Sequence, residues 1–179
     1  VEIPMGVAIV EEPAFVNPFT DVPDDVWYTE YVLMMAEAGI IKGMTETTFE
    51  PETNLTRAQL VTMLYRLVGE PEVEGLTEPF TDVPDGLWYT DAVIFAYNTG
   101  IVKGVTETTF EPDAKITREQ LVTILYRLAQ AAGVDVSIGE ETNILSYPDA
   151  EKVSPYAVEA IQWAVGAGIL NGITYEGDK

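Results

Sequence analysis

Scarce positive charges recur at matched places in an acidic chain, and they are the residues best suited to bind an anion. The 179 residues include 30 acids and 9 bases, for a formal net charge of −21 at pH 7. Arg57 and Arg118 each follow a threonine at the predicted start of a helix. Free backbone N–H groups and a guanidinium at the same helix end make an anion site. In the alternative, each arginine pairs with a local acid such as Glu50 or Glu111.

Two nearly identical helices must position these arginines. Residues 55–67 read LTRAQLVTMLYRL, and residues 116–128 read ITREQLVTILYRL. Each copy has a threonine N-cap with a glutamine three places on, which is a capping box, and a leucine stripe at i, i+4 and i+7. Arg66 and Arg127 fall in the last predicted turn, where a cation complements the helix dipole, so a structural role is predicted for both. The capping residues are Thr56 with Gln59 and Thr117 with Gln120.

The two helices belong to a longer repeat with a period of 61 residues. The segment FTDVP at Phe19 returns at Phe80, and the likeness holds to the end of the second helix. Each unit is predicted as a helix (27–38 and 88–99), a loop with an extended piece at 47–50, and the capped helix. Gly39 and Gly100 are predicted as left-handed helix caps.

A third, partial unit starts at Tyr147, with a predicted helix at 157–167 and no Arg-bearing helix after it. For residues 1–18 the sequence leaves two interpretations open, an extended lead-in with a short strand at 6–10 or a flexible linker. The predicted divisions are 1–18 lead-in, 19–70 first repeat, 80–132 second repeat, 133–146 linker and 147–179 partial third repeat.

Composition argues against several classes of function. The chain has no Cys and no His, which removes disulfides, thiolate zinc sites and histidine-based catalysis. Its negative charge disfavours nucleic acid and anionic membrane surfaces, and no apolar run approaches the length of a membrane span. Carboxylates are abundant but are not focused in one motif or in a calcium-loop pattern. We therefore expect no enzyme activity, no cofactor and no metal.

Four further residues could contact a ligand, each with a structural alternative. Lys42 and Lys103 lie in glycine-flanked loops, where the ammonium could meet a ligand or simply be solvated. Trp27 and Trp88 precede the first helix of each repeat, where an aromatic ring could stack on a sugar or be buried in the core.

The order of these motifs resembles the S-layer homology (SLH) family. The likeness rests on FTDV at 19–22, GIIKG at 39–43 and TRAQ at 56–59, each with a copy 61 residues on. The resemblance implies an all-α fold of helix-loop-helix repeats, packed as a pseudo-threefold trimer-like bundle with the third repeat incomplete. It also implies an extracellular module at the bacterial cell wall or S-layer, which binds a pyruvylated secondary cell-wall polysaccharide without catalysis.

In that family the arginine, the G-I-x-x-G loop and nearby aromatic rings hold the anionic pyruvate ketal between modules. Two departures stand out here, since glutamine replaces the usual glutamate of the TRAE motif and Asn171 replaces the loop lysine in the third unit. The ligand contacts that the resemblance implies are Arg57, Arg118, Thr56, Thr117, Gln59, Gln120, Gly39, Gly100, Lys42, Lys103, Trp27 and Trp88.

The alternative function is a structural module that assembles with other copies in a surface layer or filament. In that arrangement another copy completes the third repeat in trans. A measurement of size in solution would separate this assembly module from a monomeric anchor.

Overall fold

The computed structural model describes residues 15–172, which are helical and contain no strand. This confirms the predicted all-α class, while the strand considered at 6–10 lies outside the described residues. Within 15–172 no helix is long and apolar enough to cross a membrane. The α-helices are α1 Thr29–Glu37, α2 Arg57–Leu67, α3 Thr90–Asn98, α4 Arg118–Ala131 and α5 Val158–Gly166, with 3₁₀ turns at Ser137–Gly139, Ala150–Lys152 and Pro155–Ala157.

In the first two repeats the first helix begins two residues later than the sequence predicted, and in the third repeat it begins one residue later. Thr29 and Thr90, rather than the tryptophans, open α1 and α3. The hydroxyl of Thr90 donates to the carbonyl of Pro84 at 2.7 Å, and Thr29 makes the matching bond to Pro23. The turn before each helix is therefore closed by the helix's own first side chain, which leaves the tryptophans in the turn.

The residues form two compact units, one ending at Thr53 and the other beginning at Asn54. In the first unit the carboxylate of Asp21 accepts the N–H groups of Phe49 and Glu50 at 2.8 and 2.7 Å. These bonds, that of Phe49 foremost, hold the pKa of Asp21 below its usual value. The second unit repeats the pattern, since Asp82 accepts the two matching N–H groups at the same distances.

In the second unit, the second helix of one repeat covers the first helix of the next repeat. The rings of Tyr65 on α2 and Phe95 on α3 have centroids 5.5 Å apart. The matching pair, Tyr126 on α4 and Trp163 on α5, is 5.7 Å apart. The two helices that pack together therefore come from successive sequence repeats and not from the same repeat. The core around α2 and α3 contains Ala58, Leu60, Val61, Leu64, Phe80, Tyr89, Ala92, Val93, Ala96, Ile101, Val102, Phe110 and Ile124.

The second glycine of the G-I-x-x-G loop has a steric origin. A Cβ on Gly104 would meet the backbone carbonyl of Thr106 in the same loop and would lie 2.5 Å from the ring of Phe80, the aromatic residue that opens the same repeat. The loop therefore passes too close to that ring for any side chain. The same approach occurs in the other repeats, between Gly43 and Phe19 at 2.6 Å and between Gly172 and Tyr147 at 2.7 Å.

The stretch 133–146, predicted as a linker, packs against the third repeat. Its 3₁₀ turn contacts α5, and Gly139 is buried so close to Trp163 that a Cβ there would lie 3.0 Å from its backbone nitrogen. The side-chain amide of Gln162 donates to the carbonyl of Thr142 at 3.0 Å. These contacts hold residues 133–146 against α5, the first helix of the third repeat.

Candidate functional site

The N-terminal ends of α2 and α4 lie side by side. Thr56 and Lys115 form an isolated antiparallel bridge, and the N–H of Ile116 donates to the carbonyl of Leu55 at 3.0 Å. The two helix starts that the sequence predicted as anion sites are therefore neighbours in one unit. Both helices begin with the predicted capping box, so Arg57 and Arg118 both occupy the first helical position.

Arg57 is buried, with 6% of its surface exposed. Its Nε donates to the carbonyl of Phe110 at 2.8 Å, and its Nη2 donates to the carbonyl of Lys103 at 3.1 Å. The guanidinium carbon lies 4.5 Å from the centroid of the Phe110 ring. Among the described residues Arg57 forms no ion pair with Glu111, the acid considered from the sequence. Arg57 thus ties the start of α2 to the loop of the second repeat through carbonyl groups.

Burial lowers the pKa of the Arg57 guanidinium, and the nearby carboxylate of Glu111 opposes that effect. A desolvated cation is tolerated at this helix start because two carbonyl oxygens and an aromatic face surround it. Arg57 therefore makes a buried structural contact between α2 and the loop of the second repeat.

Arg118 makes the equivalent contact to the third repeat but is exposed. Its Nη2 donates to the carbonyl of Asn171 at 2.9 Å, and Asn171 occupies the loop position that Lys103 holds in the second repeat. Within residues 15–172 this is its one hydrogen bond. The exposed side chain leaves its other guanidinium N–H groups accessible to solvent.

Glu119 joins α4 to the third repeat, and the sequence analysis missed it. Its carboxylate accepts the N–H and hydroxyl of Ser154 at 3.1 and 3.0 Å and the hydroxyl of Tyr156 at 2.9 Å. Partial burial acts to raise the pKa of Glu119, but these three bonds outweigh it and hold the pKa below its usual value. One signal could have revealed this residue, because glutamate here replaces the alanine of the first copy, Ala58.

The three sequence repeats match the model of one known protein family. The model of the S-layer homology domain matches residues 18–61, 79–122 and 146–174. The chain belongs to the S-layer homology family. As tandem SLH repeats, it is a cell-wall anchoring module of the extracellular bacterial surface.

Relatives of this SLH chain include proteins named as glucanases and as a surface-layer protein. It is 34% identical over 175 residues to an endoglucanase of Bacillus sp. strain KSM-635, covering 96% of this chain and 18% of that protein. It is 32% identical over 156 residues to exoglucanase XynX of Acetivibrio thermocellus, covering 86% and 14%. It is 29% identical over 167 residues to the surface-layer 125 kDa protein of Lysinibacillus sphaericus, covering 93% and 13%. The chain spans less than a fifth of the length of each.

The predicted capping residues of the SLH repeats are engaged within their helices. The hydroxyls of Thr56 and Thr117 accept the N–H three residues on, at 3.2 and 3.3 Å. The side-chain oxygens of Gln59 and Gln120 accept the threonine N–H at 2.9 and 3.1 Å. Glutamine thus performs the capping task of the family's glutamate without its charge, which leaves the helix start more favourable to an incoming anion.

The predicted cap glycines also have the expected conformation. Gly39 and Gly100 have φ angles of +71° and +75°, in the left-handed region that ends a helix. Both are exposed, and Lys42 and Lys103 beyond them carry exposed side chains. The backbone of Lys103 contacts Arg57, so the structure brings these two predicted residues together.

Both tryptophans lie on the surface, with 82% of Trp27 and 59% of Trp88 exposed. The core position considered for them is therefore wrong, because each ring lies in the turn before its helix rather than on the packed face. Trp88 lines a groove of about 530 Å³ together with Tyr65 and Arg66 from the C-terminal half of α2. That groove lies at the opposite end of α2 from Arg57, so the structure does not bring Trp88 to that arginine.

Within residues 15–172, no group of three or more carboxylates is placed to hold a metal ion. Two half-buried acids instead accept hydrogen bonds from the protein: Glu119 from the third repeat and Asp82 from the loop of its own repeat.

Proposed function

We propose that this chain anchors a larger protein to the cell wall by binding an anionic, pyruvylated secondary cell-wall polysaccharide, with Arg118 as the principal contact. The observation that carries the proposal is the exposure of the Arg118 guanidinium at the first position of α4. Its Nη2 donates to the Asn171 carbonyl, and this hydrogen bond restrains the planar guanidinium. A carboxylate on a sugar can then accept two parallel hydrogen bonds from the fork.

The two family arginines have different roles in this proposal. Arg57 already uses Nε and Nη2 inside the protein and is buried, so we assign it the structural role of holding the start of α2 against the loop of the second repeat. Lys103 keeps an exposed ammonium beside that junction, and Lys42 keeps one in the first unit. These lysines stay in the proposed binding set as additional cations for a polymer with repeated negative groups.

The test is a binding titration of the purified chain with extracted wall polysaccharide, before and after chemical reduction of its carboxylates. We expect Arg118→Gln to weaken binding to the untreated polymer about tenfold or more, because a hydrogen bond to a charged group contributes about 1.5–3 kcal/mol. Arg66→Gln is the matched control, since it removes the same charge from an arginine that pairs with Glu70. Equal binding to reduced and untreated polymer would refute the proposal.

We assign no catalytic step to this chain. The carboxylate of Glu119 is engaged by three hydrogen bonds from the third repeat, and the chain has no His or Cys. Incubation of the chain with wall glycan is expected to release no new reducing ends.

A second candidate function, assembly with other copies, is favoured by the surface of α1. Tyr31 and Met34 match Ala92 and Phe95 of α3, which face α2 in the core. On α1 the two side chains are 61% and 56% exposed. Contiguous exposed apolar groups are typical of protein contacts. Sedimentation velocity over a range of concentrations tests this, since a monomer throughout would exclude self-assembly through α1.

A further inference from the structure

In the second unit, different side chains hold the junction of α2 with the second repeat and the junction of α4 with the third repeat. At the start of α2, the buried guanidinium of Arg57 donates to two carbonyls of the second repeat, and the next residue, Ala58, is an apolar core residue. At the start of α4, Glu119 stands where Ala58 stands and accepts three hydrogen bonds from the third repeat. The two helices differ in length as well, since α4 continues to Ala131 and the prediction that Arg127 lies in its last turn is wrong. The contact that an arginine makes at the first junction is therefore made chiefly by a carboxylate at the second.

Neighbouring residues of α4 contact the third repeat on both sides of α5. Glu119 accepts hydrogen bonds from Ser154 and Tyr156, which come before α5 in the chain. Arg118 donates to the carbonyl of Asn171, which comes after α5. Glu119 is half-buried in its contact, whereas Arg118 is exposed. The carboxylate thus provides most of the polar contact at this junction, and the arginine keeps further donors at the surface.

The carboxylate of Glu119 is charged at neutral pH but does not neutralise Arg118. Partial burial acts to raise the pKa of Glu119, but its hydrogen bonds hold that pKa below the usual value. Within residues 15–172 Arg118 forms no ion pair with it, because the carboxylate is engaged by the third repeat. A negative charge on the residue next to Arg118 still repels an incoming anion. Charge alone therefore predicts that removing this carboxylate tightens anion binding, whereas a role in positioning predicts the opposite.

We propose that Glu119 is a positioning residue for the anion site at Arg118, because it holds the third repeat where the Asn171 carbonyl restrains the guanidinium. This inference rests on the proposed wall-polysaccharide function and adds a residue that does not itself contact the ligand. A side chain that is restrained before binding loses less conformational freedom when the ligand arrives. At the first junction Ala58 offers no such acceptor, and Arg57 is itself the buried contact.

The binding titration with extracted wall polysaccharide separates charge from positioning by the sign of the change. We expect Glu119→Ala to weaken binding about threefold or more, because the guanidinium loses its restraint. Glu159→Gln is the matched control, since it removes a negative charge from an exposed side chain of the third repeat that makes no hydrogen bond within residues 15–172. This control should change binding by less than about twofold. Unchanged or tighter binding by Glu119→Ala would overturn the positioning role.

A double-mutant cycle separates positioning from a general loosening of the third repeat. If Glu119 acts through Arg118, then Glu119→Ala changes binding by less than about twofold when Arg118→Gln is already present. The same loss in both backgrounds would show that Glu119 serves stability alone, which refutes this inference and leaves the proposed function intact. If Arg118→Gln by itself binds like the unmodified chain, the proposed function at Arg118 fails and the positioning role with it.

An NMR measurement on the free protein tests the restraint without a ligand. The side-chain Nε–H signals of ¹⁵N-arginine-labelled protein can be assigned one by one, because the chain's arginines are Arg57, Arg66, Arg118 and Arg127. In Glu119→Ala the ¹H–¹⁵N heteronuclear NOE of the Arg118 signal should fall, because its guanidinium moves more freely on the picosecond to nanosecond timescale. The Arg57 signal, from the other junction, should keep its NOE and show that the second repeat remains folded. An unchanged NOE at Arg118 would mean that Glu119 does not restrain it, and the proposal would be wrong.

Discussion

The buried guanidinium of Arg57 gives the sharpest test of the structure, because its exposed counterpart Arg118 serves as an internal control. Replacing Arg57 by alanine removes the hydrogen bonds to the carbonyls of Phe110 and Lys103 and the contact with the Phe110 ring. It also leaves those two carbonyl oxygens without their donors. Replacing Arg118 removes one hydrogen bond from an exposed side chain.

The two substitutions are expected to lower the free energy of unfolding by measurably different amounts. Two hydrogen bonds from a charged donor contribute about 3 kcal/mol at the lower end of their range. We take the cation–π contact, about 0.5–2 kcal/mol, to be offset by the hydration that a buried guanidinium gives up on folding. The free energy of unfolding should therefore fall by about 3 kcal/mol for Arg57→Ala. For Arg118→Ala it should fall by less than about 1 kcal/mol, as for other exposed pairs.

Thermal and urea unfolding followed by circular dichroism would measure these values. About 3–5 °C per kcal/mol is expected for a unit of this size, so Arg57→Ala should lower Tm by about 10 °C and Arg118→Ala by a few degrees at most. Arg57→Lys keeps the charge but loses the planar fork, and its Tm should lie between those of the alanine variant and the unmodified chain. Equal, small losses for Arg57→Ala and Arg118→Ala would refute a structural role for the buried arginine.

Two further substitutions test the packing of the repeats. Glu119→Gln should lower the free energy of unfolding by about 1.5–3 kcal/mol at neutral pH, because the hydrogen bonds from Ser154 and Tyr156 lose their charged acceptor. Since the folded pKa of Glu119 lies below its usual 4.5, this stabilisation is present above about pH 4.5 and is lost as the pH falls through the folded value. Urea titrations from pH 7 to pH 3 should therefore show a weaker pH dependence in Glu119→Gln, and an unchanged profile would contradict the assignment. Gly104→Ala should lower the free energy of unfolding by more than about 2 kcal/mol, because its Cβ would meet the Thr106 carbonyl and the Phe80 ring. Gly100→Ala, whose Cβ meets nothing within 4 Å, should cost about 1 kcal/mol from its positive φ, and the reverse order in a thermal melt would exclude the steric account.

Local patterns in the sequence predicted the second helices well. The capping boxes at Thr56 and Thr117 fixed where α2 and α4 begin, because cap and backbone are separated by only three residues. The left-handed glycines were predicted for the same reason. The first helices of the first two repeats were placed two residues too early, since the bond from Thr90 to the Pro84 carbonyl closes a turn that no periodicity signals.

The environments of the side chains were much harder to predict. Trp88 was considered for the core because it is large and apolar, but the helix starts after it and leaves it exposed. The role of Glu119 depends on Ser154 and Tyr156, which reach it only when the third repeat folds back on α4. No local pattern connects residues so far apart in the chain.

The sequence by itself determined the family, the all-α class, the helix caps and the places where cations recur. It could not tell the environment of Arg57 from that of Arg118, because both occupy the same position of the same capping motif. The tertiary structure decided that difference: the second repeat supplies Phe110 to cover one arginine, while the other contacts Asn171 and stays exposed. Whether the arginine is buried depends on which side chains of the next repeat pack against it. Those residues are distant from the arginine in the chain, so a local sequence pattern does not reveal them.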